Sequence, residues 1–169
     1  MSVGPVTVSG TPYYGANSLQ RPDGKFLIIV GNTSTATNIY DPITNTMTAG
    51  PNLTANAYVG SFSIQRPDGK FLIIVGNTVS TTNIYDPISN TMTAGPNLAS
   101  YVGWGGHAVQ RPDGKIIIVH GAGLSSTTLY DPSVIDTSNT LPVGPNLYSA
   151  SNYGAHAIQR PDGTYLFIA

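Results

Sequence analysis

Short apolar runs punctuate the chain at even intervals: FLIIV at 26–30 and again at 71–75, IIIV at 116–119 and YLFI at 165–168. Each is strand-sized, bounded by turn residues and free of a 3.6-residue period, so strands are predicted and no helix. Being apolar on both faces, these strands are expected to be buried on both sides. The stretch before each run alternates large and small residues. Leu19, Phe62, Ile64 and Val109 fall on one face, and Ala16, Ser63, Ala108 and Ala157 on the other. Such faces interdigitate when sheets stack. After each run come an alternating segment, such as Ile39–Tyr40 among Thr and Asn, and a polar segment with one apolar residue, Met47, Met92 or Leu141. Each unit therefore reads as four strands, A to D, with a crowded apolar edge and a polar outer edge.

The pattern is a true repeat. The string QRPDG begins at Gln20, Gln65, Gln110 and Gln159, at spacings of 45, 45 and 49 residues. The units are 20–64, 65–109 and 110–158, with partial units at 1–19 and 159–169, all in one domain. The third unit carries an insertion in DPSVIDTSNT. Arg-Pro-Asp-Gly is predicted to join A to B as a tight turn, because Pro presets φ at the first central position and Gly takes the positive φ that closes it. Tyr-Asp-Pro ends strand C, where Pro removes a ladder donor.

PDGKFLIIVGN followed by IYDPITNTM resembles a kelch motif, and the chain is similar to the seven-bladed domain of the galactose-oxidase type. The resemblance covers nearly the whole chain. It implies an all-β fold, a β-propeller of four-stranded kelch-like blades with about three and a half blades encoded. The family's Gly-Gly doublet is Gly31-Asn32, Gly76-Asn77 and Gly121-Ala122 here, and its tryptophan is Met47, Met92 and Leu141. A generic β-sandwich is the alternative architecture.

Charge sharpens this picture. Charged residues make up 9% of the chain and the net charge is −1, so no electrostatic case exists for nucleic acid or an anionic membrane. Hydrophobic residues at 40% favour an ordered fold over disorder. There is no cysteine, hence no disulfide or thiolate metal site. No signal peptide or membrane-spanning run is read in the sequence, and the compartment is left open. In an up-and-down blade the A–B and C–D turns share one end. All seven basic residues (Arg21, Lys25, Arg66, Lys70, Arg111, Lys115, Arg160) and all eight acids (Asp23, Asp41, Asp68, Asp86, Asp113, Asp131, Asp136, Asp162) fall in or beside those turns.

The opposite end, made of B–C and D–A loops, is expected to carry no formal charge. It holds Tyr13, Tyr14, Tyr58, Tyr101, Trp104, Tyr148 and Tyr153 among Gly, Ser, Thr and Asn. That is the composition of adaptable recognition surfaces, in which rigid aromatics supply area and small polar residues supply hydrogen bonds. The competing reading makes these aromatics caps on the core. His107 and His156 occupy one repeat position, filled by Phe62 in another unit, so packing is favoured over a channel site; His120 replaces Val30 and Val75 at the end of strand B and is read as structural.

Catalytic signatures are absent: no G-x-S-x-G, no H-E-x-x-H, no P-loop, and no cysteine for a crosslinked-tyrosine copper site. The expectation is therefore a non-catalytic, protein-binding interaction module, not an enzyme, with no cofactor and no metal. A carbohydrate-binding propeller is the alternative, and an enzyme with a site near His107 and His156 a weaker one. Assembly is expected as a homodimer. An N-terminal strand around Ser2 to Pro5 would cover the C-terminal hairpin of a second copy, giving about eight blades. A four-bladed monomer is the rival.

Overall fold

The structure, a computed structural model, describes residues 4–6, 9–76, 78–134 and 140–168. It contains four antiparallel sheets, numbered here as blades. Blade 1 is β1 (Asn17–Gln20), β2 (Phe26–Ile29), β3 (Thr37–Asp41) and β4 (Thr46–Ala49). Blade 2 is β5 (Phe62–Gln65), β6 (Phe71–Ile74), β7 (Thr82–Asp86) and β8 (Thr91–Ala94). Blade 3 is β9 (His107–Gln110), β10 (Ile116–Val119) and β11 (Thr127–Tyr130), and blade 4 is β12 (His156–Gln159) and β13 (Tyr165–Ile168). Neighbours in each sheet are neighbours in sequence.

The turns follow from their residues. Gly69 takes φ +80° and donates its amide to the Arg66 carbonyl at 3.0 Å, while the Arg66 amide donates to Lys70. This is a proline-started turn with a left-handed closing glycine. In the C–D turn Asn45 and Asn90 sit at φ +55°, a region asparagine tolerates better than most residues. The Asp86 carboxylate accepts the amides of Ile88 and Ser89 at 2.9 and 3.3 Å.

The predicted fourth strand of the third unit is replaced by isolated bridges, Thr128 to Val143 and Asn97 to Thr140. The physical cause is visible at Pro142: its carbonyl accepts from Leu129, but it has no amide to extend a ladder. Most of that unit's insertion, 135–139 with Asp136, lies outside the described residues. So does half of the predicted N-terminal strand; of its residues Gly4 and Pro5 are described, and they belong to no strand.

The blades stack face to face by one rule. Strand B offers its second and fourth residues to the following blade and its first and third to the preceding one. Leu27 and Ile29 of blade 1 meet Phe71 and Ile73 of blade 2 in one core cluster. Leu72 and Ile74 of blade 2 meet Ile116 and Ile118 of blade 3 in another. β6 is thus buried along its whole length, whereas Leu166 and Ile168 of β13 are exposed, and Phe26 and Ile28 of β2 are half-buried. The sheets do not close into a ring among the described residues.

Ion pairs tie A–B to C–D turns within blades 1, 2 and 3: Lys25 to Asp41 at 3.1 Å, Lys70 to Asp86 at 3.2 Å and Lys115 to Asp131 at 3.3 Å. Pairs this exposed contribute roughly 0–1 kcal/mol each. Their main consequence is positional, since they gather charge at one end of the blades.

Candidate recognition site

At the other end, the D–A loops are held by backbone hydrogen bonds to the residues that follow strand B. Tyr13 and Tyr58 donate their amides to the carbonyls of Val30 and Val75, and Gly103 donates to His120. In return the carbonyls of Tyr14 and Trp104 accept from Asn32 at 2.9 Å and Ala122 at 2.7 Å. The loops also interlock from blade to blade. Gly105 takes φ +74°, and the Asn152 carbonyl of the next loop occupies the space a Cβ would need.

This scaffold carries aromatics from four successive loops into contact. The Tyr14 ring lies 4.4 Å from Tyr13, 5.8 Å from Tyr58 and 5.9 Å from Trp104, each edge to face. Trp104 in turn lies 4.8 Å from Tyr153. Edge-to-face geometry suits rings carrying a quadrupole and fixes their orientation. The Tyr13 hydroxyl is pushed above its ordinary value, chiefly by its hydrogen bond with Tyr14. Beside the cluster, Tyr58, Tyr101 and Trp104 line a cleft of about 260 Å³ completed by Val59, Thr78, Gly103 and Ala122. No lining residue bears a formal charge.

Six of the seven sequence-predicted aromatics therefore share one neighbourhood. Tyr148 stands apart, fully exposed beside a second cavity of about 430 Å³ between blades 3 and 4. His107 and Phe167 also line that cavity, their rings 6.1 Å apart. Its origin is a looser interface. Leu53 and Leu98 are buried at the two earlier blade junctions, while their counterpart Leu147 is half-buried here. His156 is exposed and does not line the cavity; like His107, it places Nδ1 3.0 Å from the carbonyl of the glycine two residues earlier.

Sequence reasoning made His120 structural without finding its partners, and it missed a second feature altogether. His120 is fully buried, with Nδ1 2.8 Å from Ser126 Oγ and Nε2 2.7 Å from Thr128 Oγ1. Ser126 and Thr128 form a polar niche that the other units, with valine at this position, do not need. The second feature is a clasp between blades. Arg21 donates from Nη1 to the Tyr85 hydroxyl and to Asn90 Oδ1, and from Nη2 to the Pro87 carbonyl. Arg66 lies over the Tyr130 ring at 5.6 Å, as Arg21 lies over Tyr85 at 6.0 Å. The signal was present in the repeat, as Arg of RPDG and Tyr of YDP, but adjacency across blades is not written in a single unit.

No family profile matches the chain, and no curated protein matches its sequence. Solved structures do resemble it. One is a fungal alcohol oxidase of the AA5 family in complex with copper, with TM-score 0.61 and 21% identity, covering 80% of this chain and 31% of that one. Another is the extracellular domain of a hybrid two-component system protein from B. thetaiotaomicron, with TM-score 0.54 and 17% identity, covering 89% of this chain and 18% of that one. The chain thus spans less than a third of either structure. The likeness shows the fold: all-β, with four-stranded antiparallel sheets arranged as in a β-propeller. It also corrects the expectation that the chain is not an enzyme. A fold shared with a copper alcohol oxidase gives architecture no weight against catalysis, so that expectation is withdrawn. Among the described residues no three His, Cys, Asp or Glu side chains gather as they would around a metal ion.

Proposed function

We propose that this chain is a kelch-type interaction module that recognises a protein partner through the uncharged, aromatic end of its blades. The observation that carries the reading is the cluster of Tyr13, Tyr14, Tyr58, Trp104 and Tyr153, delivered by four successive loops into ring contact. Aromatics gathered from separate loops, partly exposed and free of charge, have the character of an interface hot spot. Trp104 is 40% exposed and Tyr14 45%, enough to offer area while their neighbours hold their orientation.

The neighbouring cleft supports a second reading. Tyr58, Tyr101 and Trp104 around about 260 Å³ suit a small neutral group such as one sugar ring stacked on an aromatic face. A comparison of the chain with its Tyr14→Ala/Trp104→Ala variant separates the two. Under the protein-binding reading, polypeptides captured by the chain are lost with the variant, and a panel of neutral oligosaccharides leaves Trp104 emission unchanged. Oligosaccharide-dependent emission changes without any variant-sensitive polypeptide would replace it with the carbohydrate reading.

A further inference from the structure

Both ends of the blade stack present half of an interface that is complete inside it, and we propose that a second copy of this chain supplies the missing half. The proposal concerns the blade faces and is independent of the recognition reading.

The complete interface has two components. One is apolar: the second and fourth residues of strand B in one blade meet the first and third in the next, as Leu72 and Ile74 meet Ile116 and Ile118. The other is the clasp: Arg21 donates to Tyr85 and Asn90 of the next blade, and Arg66 lies over the Tyr130 ring of the blade after it. Arg21 and Arg66, which are so engaged, have side chains only 10% and 14% exposed.

At the trailing end, blade 4 presents Leu166, Ile168 and Ile158, exposed at 43%, 39% and 49%, together with exposed Arg160. These are the second-and-fourth positions, the strand A residue equivalent to Leu19, and the donor half of the clasp. At the leading end, blade 1 presents half-buried Phe26 and Ile28 and the acceptor half, Tyr40 with Asn45. That acceptor is already formed. The Tyr40 hydroxyl lies 3.2 Å from Asn45 Oδ1, as Tyr85 lies 2.9 Å from Asn90. The Phe26 and Tyr40 rings are 6.4 Å apart, as are those of Phe71 and Tyr85. Blade 1 thus holds the pose that blade 2 holds under Arg21.

The two ends are complementary in apolar register and in hydrogen bonding, so one copy's trailing face fits another's leading face. Neither end is complementary to itself, because each carries the same half of the clasp. The contact is therefore head to tail, and two copies close it into a ring through a two-fold axis, with Arg160 of each copy donating to Tyr40 and Asn45 of the other.

Light scattering on the purified chain tests this, with three variants. Arg160→Glu removes the donor. Tyr40→Phe/Asn45→Gly removes the acceptors while keeping the ring and the left-handed turn. Arg111→Glu is the control, since Arg111 is already 39% exposed within the chain. The expected mass at micromolar concentration is about twice 17.7 kDa. Either seam variant should weaken association by about tenfold or more, the size of one charged hydrogen bond, and the control should not. A mixture of the two seam variants should associate better than either alone, because one intact seam is restored. A stable mass of 17.7 kDa for the parent chain would overturn the proposal, leaving the faces to further blades of a longer polypeptide. Equal association of parent and Arg160→Glu, or a mixture no better than its components, would overturn it too.

Discussion

Arg21 donates through Nη1 to the hydroxyl of Tyr85 at 2.7 Å, fastening the first turn of one blade to the third strand of the next. The same guanidinium reaches Asn90 and the Pro87 carbonyl, so three groups of the next blade depend on it. Burial raises the Tyr85 hydroxyl above its ordinary value, and Arg21 partly offsets that. Removing the guanidinium leaves buried acceptors without a donor. Arg21→Ala should lower the unfolding free energy by about 1.5–3 kcal/mol in urea titration, the range for hydrogen bonds involving a charged group. Arg21→Lys should recover less than half of the loss, because one ammonium cannot span the fork. Equal stability of all three proteins would show that the clasp is a surface ornament.

The stacking rule makes a sharp contrast between two isoleucines. Ile74 is fully buried between blades 2 and 3, whereas Ile43, on the C–D turn of blade 1, is 91% exposed. Ile74→Ala should cost roughly 2–5 kcal/mol, from lost transfer energy and a cavity. Ile43→Ala should stay within about 0.5 kcal/mol. A loss below about 1 kcal/mol at Ile74 would mean that strand B is not sandwiched.

Much of this architecture was legible beforehand, because periodicity and turn chemistry are local. Phe71–Ile74 declared a two-sided buried strand, and Pro67 with Gly69 declared the turn before it; both are as read. The aromatic loops were also legible, since Tyr14, Trp104 and Tyr153 recur at one repeat position. Tyr148 read the same way by composition, yet it projects elsewhere, because loop residues are placed by backbone bonds that composition does not encode. The third blade's fourth strand failed for a local reason, the proline at 142. The Arg21–Tyr85 clasp was hidden because it joins residues 64 apart whose proximity exists only once blades stack.

His120 supplies a pH dependence. Its burial lowers the imidazole below the ordinary value of 6.5, with no acidic partner to oppose it. The unfolded chain then binds the proton more readily than the folded one. Stability is therefore full above about pH 6.5 and declines as pH falls from there towards the folded pKa. His120→Val, which restores the residue found at 30 and 75, should remove that decline. Asp41, Asp86 and Asp131 are held below the usual carboxylate range, Asp41 chiefly by Lys25, Asp86 by the Ser89 and Ile88 amides and Asp131 by Ser133. Their contribution is present above the ordinary carboxylate pKa and is lost as pH falls through the folded values. The variant should retain this lower-pH loss. Chemical denaturation from pH 8 to pH 3 reads both, and a parent chain equally stable at pH 7.5 and pH 5 would contradict the assignment to His120.

Gly105 tests how the aromatic loops are held. Any side chain there meets both a left-handed φ and the Asn152 carbonyl. Gly105→Ala should displace the loop that carries Trp104, seen as a shift of the tryptophan emission to longer wavelength, with a stability loss above about 1 kcal/mol. Unchanged emission would show that Trp104 is positioned by something other than this interlock.

The most direct test of the recognition face uses Trp104, the sole tryptophan, as its own reporter. A peptide library panned on the chain, with binders then titrated while tryptophan emission is followed, measures where ligands settle. Recognition at this face predicts binders that shift Trp104 emission and lose at least about tenfold in affinity with Tyr58→Ala or Trp104→Ala, as expected of a hot spot worth more than about 1.4 kcal/mol. Binders that leave the emission unmoved and hold the variants as tightly as the parent would place recognition elsewhere and contradict it.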